Sequence, residues 1–198
     1  MPLDIQEIMA AARQGDLAAL DRMLPEAEGF HTSNAATAAL QARQLPAFEK
    51  ILPALSAIGR GGALTMACHH GIPDAVERLL AVGVPAEGHK GDGEPLQRVL
   101  ANWDPSRDAD YAACLQHLLT AGVDVNRPGH LGITPILDVA RTGCSVRAAQ
   151  GLVEAGADLL AMDDKGWVLP DWLDFDYAGR DKSPLSDYLR PLFDEANQ

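Results

Sequence analysis

The chain of 198 residues is acidic, with 28 Asp and Glu against 16 Lys and Arg, which gives a formal net charge of −12. This charge excludes nucleic acid as an expected ligand, because phosphate contacts need clustered Lys and Arg. Hydrophobic residues make up 47% of the chain, which excludes a disordered protein and predicts a folded chain of one or two domains.

The compartment is predicted from what the sequence lacks. Its first residues have no basic and apolar regions of a secretion signal, and no apolar run reaches membrane-spanning length. The three cysteines, Cys68, Cys114 and Cys144, are widely separated and odd in number, unlike a disulfide framework. We therefore expect a cytoplasmic protein with reduced thiols and no membrane partner, present as a monomer or in a hetero-complex.

The N-terminal third contains two predicted helix pairs. In residues 3–30, two apolar stripes at helical spacing are separated at Gly15. Residues 34–61 form a weaker copy, in which Asn34 is expected to cap the first helix. Three of the four residues at 59–62 are glycine, so this segment is expected to be a flexible connection.

The central part contains a regular copy and a longer one. Residues 62–93 repeat the order of helix, turn and helix, and Gly83 ends the second helix. Residues 94–131 contain an insertion, because the interval from Gly83 to Gly122 is longer than the next interval between helix-ending glycines. The extra residues follow Trp103 and are acidic, which is typical of a loop placed between two helices.

The C-terminal part begins with the clearest copy, residues 132–165. Thr134 is the expected cap of its first helix, and Pro135 suits the first helical turn. Gly156 ends its second helix. Residues 166–198 form a modified last copy, whose proline and aromatic content departs from the pattern.

These copies have the period of about 33 residues that is typical of one repeat family. Helix starts such as Thr134-Pro135 and helix ends such as Leu118-Leu119-Thr-Ala-Gly122-Val-Asp-Val-Asn126 carry the resemblance. The chain resembles the ankyrin-repeat family. The resemblance implies an all-α solenoid of stacked helix-turn-helix units with short β-hairpin-like finger loops. It also implies a single domain over residues 1–198, whose first, second and last units are degenerate or capping.

The same resemblance implies a protein-binding function. Ankyrin repeats bind other proteins through finger tips and the concave surface of their first helices, and they rarely catalyse. We therefore expect a non-catalytic interaction module with no cofactor and no bound metal. The polar positions at each inter-helix turn, such as Arg43-Gln44, join the finger tips and the insertion in the expected partner-binding set: His69, His70, His89, Lys90, Asp92, Asn102, Trp103, Asp104, Arg107, Asp108, His130, Leu131, Ile133, Arg141, Thr142 and Trp167.

Two interpretations stay open within this class. Trp103 is either an exposed hot spot for binding or a cover for the end of the local core. The acidic charge either serves a basic partner, whose association it would accelerate by electrostatic steering, or is an ordinary solvated surface. We expect an inhibitor or adaptor of a specific protein, for example a bacterial immunity protein.

The alternatives from other functional classes rest on few residues. A small enzyme or metal-dependent protein on a repeat scaffold would use His69, His130 and Asp138. Cys144 follows a turn glycine and precedes a helix, a position that can lower a thiol pKa. A structural role in homo-oligomers would use Leu131 and the aromatic residues near the C-terminus.

Overall fold

The computed structural model describes residues 3–88, 94–176 and 179–198, and it is 68% helical, with no strand among these residues. The prediction of an all-α protein is therefore confirmed. The chain forms two compact units, one ending at Pro95 and the other beginning at Leu96. The single repeat domain and its six boundaries stay a prediction.

The first unit is built from three helix pairs. Its helices are α1 (Ile5–Gln14), α2 (Leu17–Met23), α3 (Gly29–Gln41), α4 (Leu45–Ile51), α5 (Ala57–His69) and α6 (Pro73–Ala81). The second helices of the pairs begin at Leu17, Leu45 and Pro73, so the pairs recur at one constant interval. This interval is shorter than the period of about 33 residues predicted from the later part of the chain.

The core of the first unit is rich in small side chains. Helix α3 packs between α1 and α5, and its four alanines at 35, 36, 38 and 39 are at most 1% exposed. Alanine has the highest helix propensity, and its small side chain lets neighbouring helices approach closely. Phe48 and Ile51, both fully buried, place larger apolar groups against this layer from α4.

Two local predictions for the first unit are wrong. Asn34 does not cap a helix, because α3 already begins at Gly29 and the backbone N–H of Glu28 donates to His31 Nδ1 over 3.2 Å. The glycine-rich residues 59–62 are no flexible connection but lie inside α5, which Ser56 caps by accepting from the Gly59 N–H over 3.1 Å. Packing against neighbouring helices here outweighs the low helix propensity of glycine.

Arg43 occupies a turn position that glycine occupies in the neighbouring pairs. Its φ is 55°, in the left-handed region, as are those of Gly15 and Gly71 at 70° and 54°. Its side chain donates from Nη1 to the carbonyl of His70 over 3.3 Å. Arg43 is therefore the turn residue itself, equivalent to the glycines and not to the polar residues that precede Gly15 and Gly71.

The second unit contains the remaining helices and the insertion. Its helices are α7 (Pro95–Ala101), α8 (Asp108–Thr120), α9 (Pro135–Thr142), α10 (Val146–Glu154), α11 (Leu169–Asp174) and α12 (Ser183–Ala196). A 3₁₀ turn, Pro105–Arg107, forms the insertion between α7 and α8. Pro170 lies in the first turn of α11, and Pro191 lies inside α12 without ending it.

Two loops of the second unit share one geometry. The Gly129 N–H donates to the Ile133 carbonyl over 2.9 Å, and the Asp163 N–H donates to the Trp167 carbonyl over 3.0 Å. The two loops are separated along the chain by about the predicted repeat period. The Asp164 N–H also donates to the Leu131 carbonyl over 3.0 Å, so the tips of the two loops are hydrogen-bonded to each other.

Asn126 joins successive helix ends in the same unit. Its Nδ2 donates to the Gly156 carbonyl over 3.0 Å, and its Oδ1 accepts from the Asp158 N–H over 2.7 Å. One side-chain amide therefore satisfies a donor and an acceptor near the end of the following helix pair, which fixes the next loop.

Across the described ranges, no helix combines the length and the apolarity that crossing a bilayer requires.

Candidate partner-binding surface

Trp103 is buried. It is 2% exposed, its indole Nε1 donates to Asp108 Oδ1 over 3.0 Å, and its ring centroid lies 5.8 Å from that of Tyr111. A tryptophan can be buried at low cost when its N–H finds an acceptor. Of the two interpretations of Trp103, the exposed hot spot is therefore wrong, and the side chain covers the local core beside the insertion.

Asp108 binds three groups of the second unit, one before the insertion and two at the start of α10. Besides Trp103, its carboxylate accepts from Ser145 Oγ over 2.8 Å and pairs with Arg147 Nη1 over 3.2 Å. Hydrogen bonds to an ionised acceptor are stronger than neutral ones. Asp108 was expected to contact a partner, and the structure gives it the additional role of holding the insertion against α10.

The other residues of the insertion also have local partners. Arg107 pairs with Asp110 over 3.0 Å, and its guanidinium carbon lies 5.4 Å from the centre of the Tyr111 ring. The Asp104 carboxylate accepts from the hydroxyl and the backbone N–H of Ser106, and these bonds hold the pKa of Asp104 below its ordinary value.

Arg141 and Thr142, two predicted contact residues before the turn at Gly143, form hydrogen bonds within the protein. Arg141 Nε donates to Asp138 Oδ1 over 3.0 Å, and Thr142 Oγ1 donates to the carbonyl of Asp138 over 2.8 Å. Burial raises the pKa of the Asp138 carboxyl, while the charge of Arg141 acts in the opposite direction. These groups are held in place by one another, and their contact with a partner stays a prediction.

Cys144 is not an activated thiol. Burial raises its pKa to about 12, although hydrogen bonds from neighbouring groups act in the opposite direction. The alternative of a thiol pKa lowered by the start of a helix is therefore wrong, because the side chain is withdrawn from water. Cys68, Cys114 and Cys144 are all buried thiols.

The remaining predicted residues of the earlier turns are half-buried or lie outside the described residues. The rings of His69 and His70 meet edge to face at 4.7 Å, and Asn102 Nδ2 donates to the Arg98 carbonyl over 3.0 Å. His89, Lys90 and Asp92 lie outside the described residues. Within the described ranges, no three His, Cys, Asp or Glu side chains form a group that could hold a metal ion.

The loop tips do present side chains to solvent. His130 is exposed, Leu131 is 45% exposed, and Ile133 is half-buried. Trp167 is half-buried, and its ring lies 4.8 Å from Trp172 between centroids. These residues were predicted as finger contacts, and their positions permit that role.

Several exposed apolar side chains were not predicted as contacts. In the second unit they are Leu160, Met162 and Phe175, and in the first unit they are Phe30, Ile58 and Val82, all at least 40% exposed. Phe30 and Ile58 each occupy the second position of an inner helix, α3 or α5. The shorter interval between helix pairs in the first unit was the sequence signal that would have shown Phe30 and Ile58 to be equivalent positions.

The comparison with known proteins gives a fold. No protein-family model matches the chain, and no curated protein matches it. The chain is similar to a chain in the solved structure of the Bd0816 predatory endopeptidase from Bdellovibrio bacteriovorus in complex with immunity protein Bd3460. The TM-score is 0.65 at 21% identity, and the alignment covers 92% of this chain and 97% of that chain. At this identity the likeness is one of fold.

Proposed function

We propose that this protein binds a specific protein partner and inhibits it, in the manner of a bacterial immunity protein. The observation that carries the proposal is the fold likeness, which extends over nearly all of both chains, to a chain from a complex of an endopeptidase and an immunity protein. A likeness of fold leaves the function to be argued from the surface.

The helix pairs are assigned in this proposal to a degenerate ankyrin-repeat array. Left-handed turns at Gly15, Gly71 and Gly143 separate the helices of three pairs, as the repeat requires. The matched loops around Leu131 and Lys165 correspond to finger loops, and their separation along the chain agrees with the repeat length of about 33 residues.

The chemistry of the buried groups agrees with a non-catalytic protein. A thiol with a pKa of about 12, as at Cys144, is protonated at neutral pH and is a poor nucleophile. Asp138 is 7% exposed and its carboxylate accepts from Arg141 Nε, so a structural role within the helix accounts for this group.

The proposal is tested by capture followed by an activity measurement. The purified protein is immobilised and exposed to lysate of its source cell at low and at high salt, and the captured protein is identified and purified. We expect one predominant partner, an enzyme, that loses its activity when an equimolar amount of this protein is added. A partner with a basic surface is expected to be lost at high salt.

A partner that keeps its full activity when saturated with this protein would overturn the inhibitory role. Capture of no specific partner under either salt condition would count against protein binding itself. Heat-unfolded protein on the same matrix is the control for nonspecific capture.

A further inference from the structure

We infer that one surface of the second unit receives a basic protein segment, through exposed carboxylates in the same chain segments as an exposed apolar and aromatic cluster. We call it the acidic–aromatic surface; it comprises Leu131, Met162, Asp164, Trp167, Asp171, Phe175 and Asp176. The inference rests on the proposed function and names the contact surface and the chemistry of the partner.

The apolar side chains of this surface are exposed to an unusual degree. Met162 is 64% exposed, Leu131 is 45% exposed and Phe175 is 43% exposed. Single exposed apolar residues are common, but their concentration in one group of loops is typical of an interaction site.

The chain contacts bring these residues into one cluster. Trp167 lies 5.4 Å from Phe175, and Trp172 lies 5.8 Å from Phe175, measured between ring centroids. The hydrogen bond from the Asp164 N–H to the Leu131 carbonyl places Leu131 beside the loop that carries Trp167. The three aromatic rings therefore form one cluster, and Leu131 and Met162 lie in the two hydrogen-bonded loops beside it.

The same segment carries an excess of negative charge. Between residues 158 and 176 there are six aspartates and a single cation, Lys165. Among the described residues, Asp174 alone of these six forms an ion pair, with Arg190. The carboxylates of Asp164, Asp171 and Asp176 are exposed, and within the same described ranges they form no ion pair, although the charge of Lys182 acts on Asp176 from nearby.

The loop that carries the surface is fixed before any partner arrives. The Asp163 carboxylate is 7% exposed and accepts from the backbone N–H groups of Lys165 and Trp167, over 2.8 and 2.9 Å. Asp171 accepts from the Val168 N–H over 3.0 Å. A loop that is already ordered loses less conformational entropy on binding.

These features select a partner by its chemistry. Exposed carboxylates bind Lys and Arg cations, and aromatic faces attract the same cations when they are partly desolvated. The aliphatic groups of Met162 and Leu131 require apolar contacts in return. The occupant that satisfies both demands is a protein segment with Lys or Arg beside apolar side chains.

The direct test uses a short synthetic peptide of alternating Arg and Leu as the probe and the full-length ¹⁵N-labelled protein. We expect the peptide to shift the indole N–H signals of Trp167 and Trp172 in a saturable, salt-sensitive manner. The indole signal of Trp103, which donates to Asp108, is the internal control and stays unchanged. A peptide with Glu in place of Arg is expected to cause no shift.

Variants identify the residues responsible. A triple variant, Asp164→Asn, Asp171→Asn and Asp176→Asn, is expected to weaken peptide binding by about tenfold at low salt. The matched control removes the same charge elsewhere, through Glu26→Gln, Glu77→Gln and Glu195→Gln, and is expected to change affinity by less than about twofold. In the charge-neutral variant Met162→Ser, we expect weaker binding with an unchanged salt dependence.

The inference is overturned if the peptide leaves the Trp167 and Trp172 signals unshifted, or if the triple variant and its control bind alike. Helical circular dichroism and thermal unfolding verify that each variant is folded. The proposed function fails separately, when a captured partner stays active. If the captured partner is inhibited equally by the triple variant, the function stands and this surface is wrong.

Discussion

At the scale of single residues, Asp108 has the largest set of structural contacts around the insertion. It accepts from Trp103 and Ser145 and pairs with Arg147. Its removal leaves a buried indole N–H without its acceptor, and such a loss costs more than the hydrogen bond contributes when formed.

We therefore expect Asp108→Ala to lower the free energy of unfolding by about 2–3 kcal/mol, measured by urea denaturation. The matched control is Asp110→Ala, which removes a more exposed partner of Arg107 and is expected to cost less than about 1 kcal/mol. Equal losses in the two variants would contradict the role given to Asp108.

The cysteines give a second prediction at this scale. Since all three are buried and the pKa of Cys144 is about 12, a disulfide reagent at about pH 8 is expected to modify none of them in the folded protein. All three should react in guanidinium. Rapid reaction of one thiol without denaturant would show that its site opens readily.

Asp138 gives a prediction about pH. Burial raises its pKa in the folded protein above the ordinary value of 3.8, so the folded state binds more protons than the unfolded state between these two values. The contribution of Asp138 to the free energy of unfolding therefore falls as the pH rises through this window, and it stays constant above it.

Urea denaturation of the wild type and of Asp138→Asn across this window measures the effect. Relative to the wild type, the variant is expected to become more stable as the pH rises from about 3.8 towards neutrality. Asp194→Asn, at an exposed position in α12, is the control. A stability difference that does not change with pH would contradict the assignment.

At the scale of the helix, α5 shows why glycine content alone misled the prediction. A Cβ atom on Gly59 would lie 2.9 Å from Ser33 Oγ, whereas a Cβ on Gly62 would meet no atom within 4 Å. The first glycine permits a close approach of α3 and α5. A side chain at the second glycine would meet no such contact, so glycine there only weakens the helix through its low propensity.

We expect Gly62→Ala to raise the free energy of unfolding by about 0.5–1 kcal/mol, because alanine favours the helix and restricts the unfolded chain. Gly59→Ala is the matched variant, and the contact with Ser33 should cancel this gain or make the net effect negative. Thermal unfolding monitored by circular dichroism measures both. Equal stabilisation in the two variants would show that Ser33 moves aside at no cost.

Helix ends were predictable in part from local chemistry. Thr134 precedes α9 as expected, but its side chain makes no capping hydrogen bond. Pro135 in the first turn of α9 and Gly156 after α10 lie where their backbone preferences require. The shorter repeat of the first unit was hidden because Arg43 replaces glycine at the turn, and the start of α3 carries no strong local signal. Because arginine rarely adopts the left-handed conformation, the sequence gives no sign that Arg43 occupies this turn position.

At the scale of the whole molecule, the candidate surface was predictable only in part. The exposed Leu131 was indicated by an apolar residue at a loop tip, but Met162 and Phe175 lie where the repeat pattern is weak. The sequence left open whether Trp103, beside an acidic loop, was exposed or covered the core, and only the fold shows that Asp108 offers its N–H an acceptor. Burial depends on such distant contacts, which composition and spacing do not specify.

The constant spacing of helix pairs in the first unit has a consequence for how such a chain can change its length. Residues 17–44 run from the start of α2 to the last residue before α4, and the residues at the two junctions occupy equivalent positions. A tandem duplication of this segment in the gene would recreate a known junction instead of a new one. Because neighbouring pairs supply one another's packing surface, the added pair would meet contacts of a kind the chain already makes. The first unit is thus open to growth by recombination, one helix pair at a time.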